Sequence, residues 1–269
     1  MRVLFLVLKE SYKRLTVELT KINTMAVEVS SEWVKVQNGD LAIDAYLCSP
    51  EPSGTYPGII VVQEIFGVNE HIQDLTARLA AEGYVAIAPA IYQRSAPGFA
   101  VGYSEEEVKQ GRKYKVQTQA KELISDVRAT IDYLYSLPTV KQSRVGTIGF
   151  CFGGHVVYLA ATLKDVAATA SFYGAQIATW CPGESEPTIT RTEDISGTVY
   201  AFFGTEDPLI PNEQTEQIET QLQQHNIPHQ VFRYQGATHG FMCDRRESYN
   251  PSAAEDAWKK VLDLFSQKL

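Results

Sequence analysis

Apolar residues fall along this chain in two rhythms, short unbroken or alternating runs and longer stretches spaced by three and four. Val34-Lys35-Val36 and Leu41 to Leu47 alternate in character on either side of Asn38-Gly39, which predicts an antiparallel hairpin. From Gly58 the pattern changes. Ile59-Ile60-Val61-Val62 is a continuous β-branched run, as a parallel strand buried on both faces requires. Leu75, Leu79 and Ala80 then fall at helical spacing before Gly83, and a second apolar run, Tyr84 to Ala88, stops at Pro89. Residues 104 to 136 are charged with Val127, Ile131 and Leu134 on one stripe, and read as two helices. Val145 to Phe150 is a third buried strand feeding a helix from Gly153 to Leu163. Ala167 to Tyr173, Val199 to Phe203 and His229 to Tyr234 are further strands, separated by a helix from Glu213 to Gln223 and closed by one from Ala253 to Phe265. Strands alternating with helices in this way predict a doubly wound, mostly parallel α/β sheet with helices on both faces. Ala175 to Gly197 is too long for a plain connection and is expected to form a wall or lid of a pocket.

Residues 26 to 269 are enough for one catalytic domain with a sizeable core. Residues 1 to 25 read as an extension outside it. Their apolar stretch, Val3 to Leu8, is far short of the roughly twenty residues of a spanning helix, and Lys9, Glu10, Lys13 and Arg14 stand where a signal-peptidase site belongs. The expectation is a cytoplasmic protein with no stable membrane span. A formal charge of -8 argues against nucleic acid as a partner. Cys48, Cys151, Cys181 and Cys243 show no zinc or cluster spacing and read as free thiols in a reducing compartment, with no metal and no cofactor expected. The expected assembly is a monomer or small homo-oligomer.

Gly149-Phe150-Cys151-Phe152-Gly153-Gly154 lies between a strand and a helix, the setting of a nucleophile elbow. The glycines let the turn close, and the amides of the following helix favour thiolate. Asp207 follows the strand Val199 to Phe203, and His239 follows the strand that ends at Tyr234. Ligand sites of open parallel sheets lie at such strand ends. Nucleophile, acid and histidine therefore occur in the order 151, 207, 239, each after a separate strand. His71, His155, His225 and His229 lack that setting and read as structural or surface residues. Cys48, Cys181 and Cys243 read as inert thiols, although Cys243 is close enough to His239 in sequence to line the pocket.

Gln63-Glu64-Ile65-Phe66-Gly67, the Gly-x-Cys-x-Gly-Gly elbow, the Asp207 loop and Ala237-Thr238-His239-Gly240-Phe241 together resemble the dienelactone hydrolase (carboxymethylenebutenolidase) family, from about residue 32 to the C-terminus. The resemblance implies an α/β-hydrolase fold. It also implies that Glu64 contacts the resting Cys151 and is displaced by substrate. The amides of Ile65 and Phe152 are the expected oxyanion hole, with Phe66 an apolar wall. The family binds a substrate carboxylate through arginines, one of them four residues past the histidine, where this chain has Cys243. Arg245 and Arg246 are out of register, and Arg112 and Tyr114 are two apart where the family spacing is four. Arg94, Arg112, Tyr114, Arg245 and Arg246 remain candidate substrate contacts. The expected function is hydrolysis of a small ester or lactone. The alternatives are a non-catalytic ligand-binding protein of the same fold, or an acyltransferase using the same triad.

Overall fold

The structure is a computed structural model that describes residues 27–51 and 54–269. The extension read at residues 1 to 25 lies outside the described residues. Strands β1 (Val29–Asn38) and β2 (Leu41–Pro50) form the predicted hairpin, with Asn38 opposite Leu41. Gly39 carries the turn at φ +60°, a conformation that costs a residue with a Cβ far more than glycine. The hairpin joins an eight-stranded sheet in the order β1-β2-β4-β3-β5-β6-β7-β8. Its other strands are β3 (Gly58–Val62), β4 (Val85–Pro89), β5 (Val145–Phe150), β6 (Val166–Phe172), β7 (Thr198–Gly204) and β8 (His229–Tyr234). β2 meets β4 antiparallel, and every pairing from β4 to β8 is parallel.

Among the described residues, six α-helices cover the sheet: α1 (Glu70–Ala81), α2 (Glu105–Lys115), α3 (Ala120–Ser136), α4 (Phe152–Ala160), α5 (Asn212–Gln224) and α6 (Pro251–Lys268). β3 shows why both faces need cover. Ile59 and Val61 pack with Leu75 and Leu79 of α1 and Val261 of α6, whereas Ile60 and Val62 pack with Val127 and Ile131 of α3 and Val157 of α4. Alternate side chains of a strand point to opposite sides, so a wholly apolar strand is stable only when helices lie on each. The 175–197 segment contains a 3-10 turn, Thr188–Asp194, and is anchored to α4. His155 bonds the Ala175 carbonyl at 2.8 Å and the Thr188 hydroxyl at 2.7 Å, and Tyr158 bonds Thr192 at 2.7 Å. Among the described residues, no helix is long and apolar enough to cross a membrane.

Candidate active site

Cys151 stands between β5 and α4 with φ +54° and ψ -114°, a strained conformation for a residue with a side chain. The surroundings enforce it. A Cβ on Gly149 would fall 2.1 Å from the Gly153 carbonyl oxygen, one on Gly153 would fall 2.2 Å from that of Val62, and one on Gly154 would fall 2.4 Å from that of Phe172. The elbow is therefore wedged between β3 and β6, and the Cys151 amide bonds the Phe172 carbonyl at 3.0 Å. Cys151 is partly exposed, unlike Cys48, Cys181 and Cys243, which are buried.

Asp207 and His239 meet as their strand ends predict. His239 Nδ1 lies 2.7 Å from Asp207 Oδ2, while Asp207 Oδ1 accepts the Leu209 amide at 2.8 Å, so both oxygens of the acid are engaged. Gly204, at the end of β7, permits this approach, since a Cβ there would fall 2.2 Å from the Ala237 carbonyl. With Nδ1–H donated to Asp207, the imidazole turns Nε2 towards Cys151, the one side chain that acts on it from that side, and Nε2 has no other partner. Burial pushes the pKa of His239 down. The charge of Cys151 and the bond to Asp207 outweigh it and hold the ring up at about 10. Phe152 opens α4, so its amide is one of those a helix cannot satisfy itself, and neither it nor the Ile65 amide has an acceptor among the described residues.

Glu64 is buried and accepts a hydrogen bond from Arg246 at 3.4 Å, while its Oε2 has no partner. The bond to Cys151 that the resemblance implies is not formed in this arrangement. Arg246 also lies over Phe66 and Tyr103, at 5.7 and 5.4 Å from their ring centres, and Phe66 packs edge-on against Tyr103 at 4.8 Å. Cys243 lies in the same cluster and donates its S–H to the Tyr103 hydroxyl at 3.3 Å.

The other basic candidates lie elsewhere. Arg245 pairs with Glu70 and Asp74 on the exposed side of α1. Arg94 pairs with Asp126 and Glu122 of α3, where it ties a loop to a helix. Arg112 is exposed, and Tyr114 is partly buried and packs against Phe99 at 4.9 Å and Tyr92 at 6.0 Å at the margin of the core. The register of a turning loop decides between Arg245 and Arg246, and sequence spacing does not reveal which of two adjacent arginines turns inward.

Two residues near Cys151 escaped the sequence reading. Lys115, the last residue of α2, lies over Trp180 at 4.7 Å and Phe152 at 5.7 Å and bonds Gln176. Its pKa is pushed down by burial, against an upward pull from Cys151. Tyr173 follows β6 directly and packs edge-on against His239 at 5.1 Å. Its position at a strand end was the available signal. A cavity of about 800 Å³ lies between α1 and α6 and has none of Cys151, Asp207 and His239 among its lining, so the candidate site is located by the elbow and the His239–Asp207 pair. No cluster of His, Cys, Asp and Glu spaced to hold a metal ion occurs among the described residues.

A sequence model of the Dienelactone hydrolase family matches residues 43–269. The chain belongs to the dienelactone hydrolase family. It is 57% identical over 245 residues to a Synechocystis sp. protein described as "Putative carboxymethylenebutenolidase", covering 91% of this chain and all of that one. An Escherichia coli protein with the same description is 33% identical, with 83% of this chain and 82% of the other covered. Among solved structures, a Klebsiella pneumoniae protein described as "Putative Dienelactone Hydrolase" superposes with a TM-score of 0.82 at 28% identity, over 89% of this chain and 99% of that one. A hydrolase acting on lactones or esters is what this membership establishes.

Proposed function

We propose that this hydrolase cleaves a small carboxylic ester or lactone by a Cys151-His239-Asp207 triad through a thioester acyl-enzyme. The observation that carries the reading is the 2.7 Å bond from His239 Nδ1 to Asp207, which leaves Nε2 open beside a cysteine held in a strained elbow. Sγ attacks the carbonyl carbon, and the oxyanion is received by the amides of Phe152 and Ile65. The leaving alcohol takes its proton from His239, and water then hydrolyses the thioester. In a lactone the leaving alcohol stays tethered, and the product is a hydroxy acid. Each step draws on side chains and amides of this chain.

Arg246 with Phe66 and Tyr103 forms the polar-and-aromatic wall nearest Glu64, and it replaces Arg245 as the candidate contact for a substrate anion. Four free thiols support a reducing compartment, the cytoplasm. The partial exposure of Cys151 favours the enzyme over a non-catalytic binding protein.

The test is turnover of a chromogenic short-chain ester and of a dienelactone-like lactone, with and without added alcohol. Ester and lactone hydrolysis lost on alkylation of Cys151, mapped by mass spectrometry, supports the reading. Turnover that persists with Cys151 fully alkylated overturns it. Product dominated by acyl transfer at low alcohol concentration would assign a transferase instead.

A further inference from the structure

Two buried polar atoms whose side chains interact electrostatically with each other, the Tyr173 hydroxyl and Glu64 Oε2, end without a hydrogen-bond partner, and a third, His239 Nε2, has none besides Cys151, which acylation would take from it. They arrive from three strand ends. Tyr173 follows β6 on one side of the nucleophile's strand, Glu64 lies just past β3 on the other, and His239 is in the loop after β8.

Tyr173 is fully buried, at 0% exposure, and holds φ at +35° with its amide bonded to the Phe202 carbonyl at 2.7 Å. Its ring is clamped edge-on between His239 at 5.1 Å and Phe241 at 5.2 Å. Burial lifts its pKa well above the usual tyrosine range, reinforced by Glu64, Cys243 and Cys151 and opposed by Arg246, so it stays a phenol and a donor. A strained backbone that buries an unpartnered hydroxyl on a ring packed against His239 is costly unless the hydroxyl is used.

We propose that Tyr173, together with Glu64, holds the water that deacylates the enzyme. This inference rests on the thioester reading above. The donor and acceptor count fits one water: it accepts from the Tyr173 hydroxyl and donates one hydrogen to Glu64 Oε2 and the other to His239 Nε2. Acylation prepares the last of these, because the sulfur no longer carries a charge and His239 becomes a neutral acceptor. The water oxygen then bonds to the acyl carbon while its proton passes to Nε2. Collapse of the tetrahedral adduct breaks the C–S bond, and Sγ leaves with the electron pair and recovers the proton from His239.

The experiment is stopped-flow turnover of p-nitrophenyl acetate by the full chain and its Tyr173→Phe variant, with intact-mass detection of the acetylated protein. The substitution keeps the ring and removes one oxygen, and a thermal melt checks the fold. The expected result is a p-nitrophenol burst at nearly the native rate, a steady state slower by about tenfold or more, and acetylated protein accumulating. Hydroxylamine, which attacks a thioester without a base, restores steady turnover in the variant. Burst and steady state falling in equal proportion, or a steady state that is unchanged, overturns the role of Tyr173. Where the variant melts far below the native protein, Glu64→Gln is read by the same partition between burst and steady state, with the same outcomes. If the native protein itself never acetylates at Cys151, the thioester reading fails first and this inference with it.

Discussion

At the scale of single residues, the site is a set of side chains whose protonation depends on one another. His239 sits at about 10, above its ordinary value of 6.5, because Cys151 and Asp207 together overcome burial. A histidine raised on folding contributes stability that is fully present below pH 6.5 and is lost as pH rises through about 10. Cys151→Ala removes the strongest upward influence, so the His239 titration followed by NMR of its ring protons should move to lower pH. An unmoved midpoint would show that Asp207 alone sets it. Asp207→Asn leaves the shape but lets the imidazole take the wrong tautomer, and kcat should fall by about a thousandfold or more with the fold intact by circular dichroism. A loss of only a few fold would contradict the assigned orientation of His239. The Cys151 elbow and the pairing of His239 with Asp207 were legible because each of the three residues follows its own strand. The inward turn of Arg246, the cage around Lys115 and the hydroxyl of Tyr173 were not. Each depends on a side chain's direction within a loop or at a helix end, which has no periodic pattern to betray it.

At the scale of elements, α4 serves two ends. Its N-terminus presents the elbow, and its first turns hold the 175–197 segment through His155 and Tyr158. The sequence reading of His155 as a structural residue is met in detail. With Nδ1–H donated to the Ala175 carbonyl, Nε2 accepts from Thr188, and both bonds suit a neutral ring. Burial pushes this histidine down to about 4, with Lys115 adding to the effect. A histidine lowered on folding stabilises above pH 6.5, and that stability is lost as pH falls towards about 4. Hydrogen exchange across residues 176 to 194 should therefore quicken, after correction for the intrinsic rate, between pH 6.5 and 4. In His155→Gln that acid sensitivity should be absent; its persistence would place the cause elsewhere. The strands and helices were legible to within a few residues because buried runs and helical stripes differ in period. The 3-10 turn Thr188–Asp194 was not, since a single short turn leaves no stripe.

At the scale of the whole molecule, the described fold begins at the hairpin. A chain starting at Ala26 should keep its melting temperature and its turnover, and a drop of several degrees would show that residues 1 to 25 pack on the core. The sheet order brings the ends of β3, β5, β6, β7 and β8 to one edge, which is how residues as far apart in sequence as Glu64 and His239 come to share a site. That edge was readable from strand order, whereas substrate choice depends on the loops over it. The proposed chemistry turns on a single sulfur atom. The most direct test is kcat/KM of Cys151→Ala against a chromogenic short-chain ester, beside Cys48→Ala, Cys181→Ala and Cys243→Ala prepared in the same way. Turnover is predicted to vanish in the first and to survive largely intact in the other three, whereas a Cys151→Ala enzyme of native activity would contradict the mechanism outright.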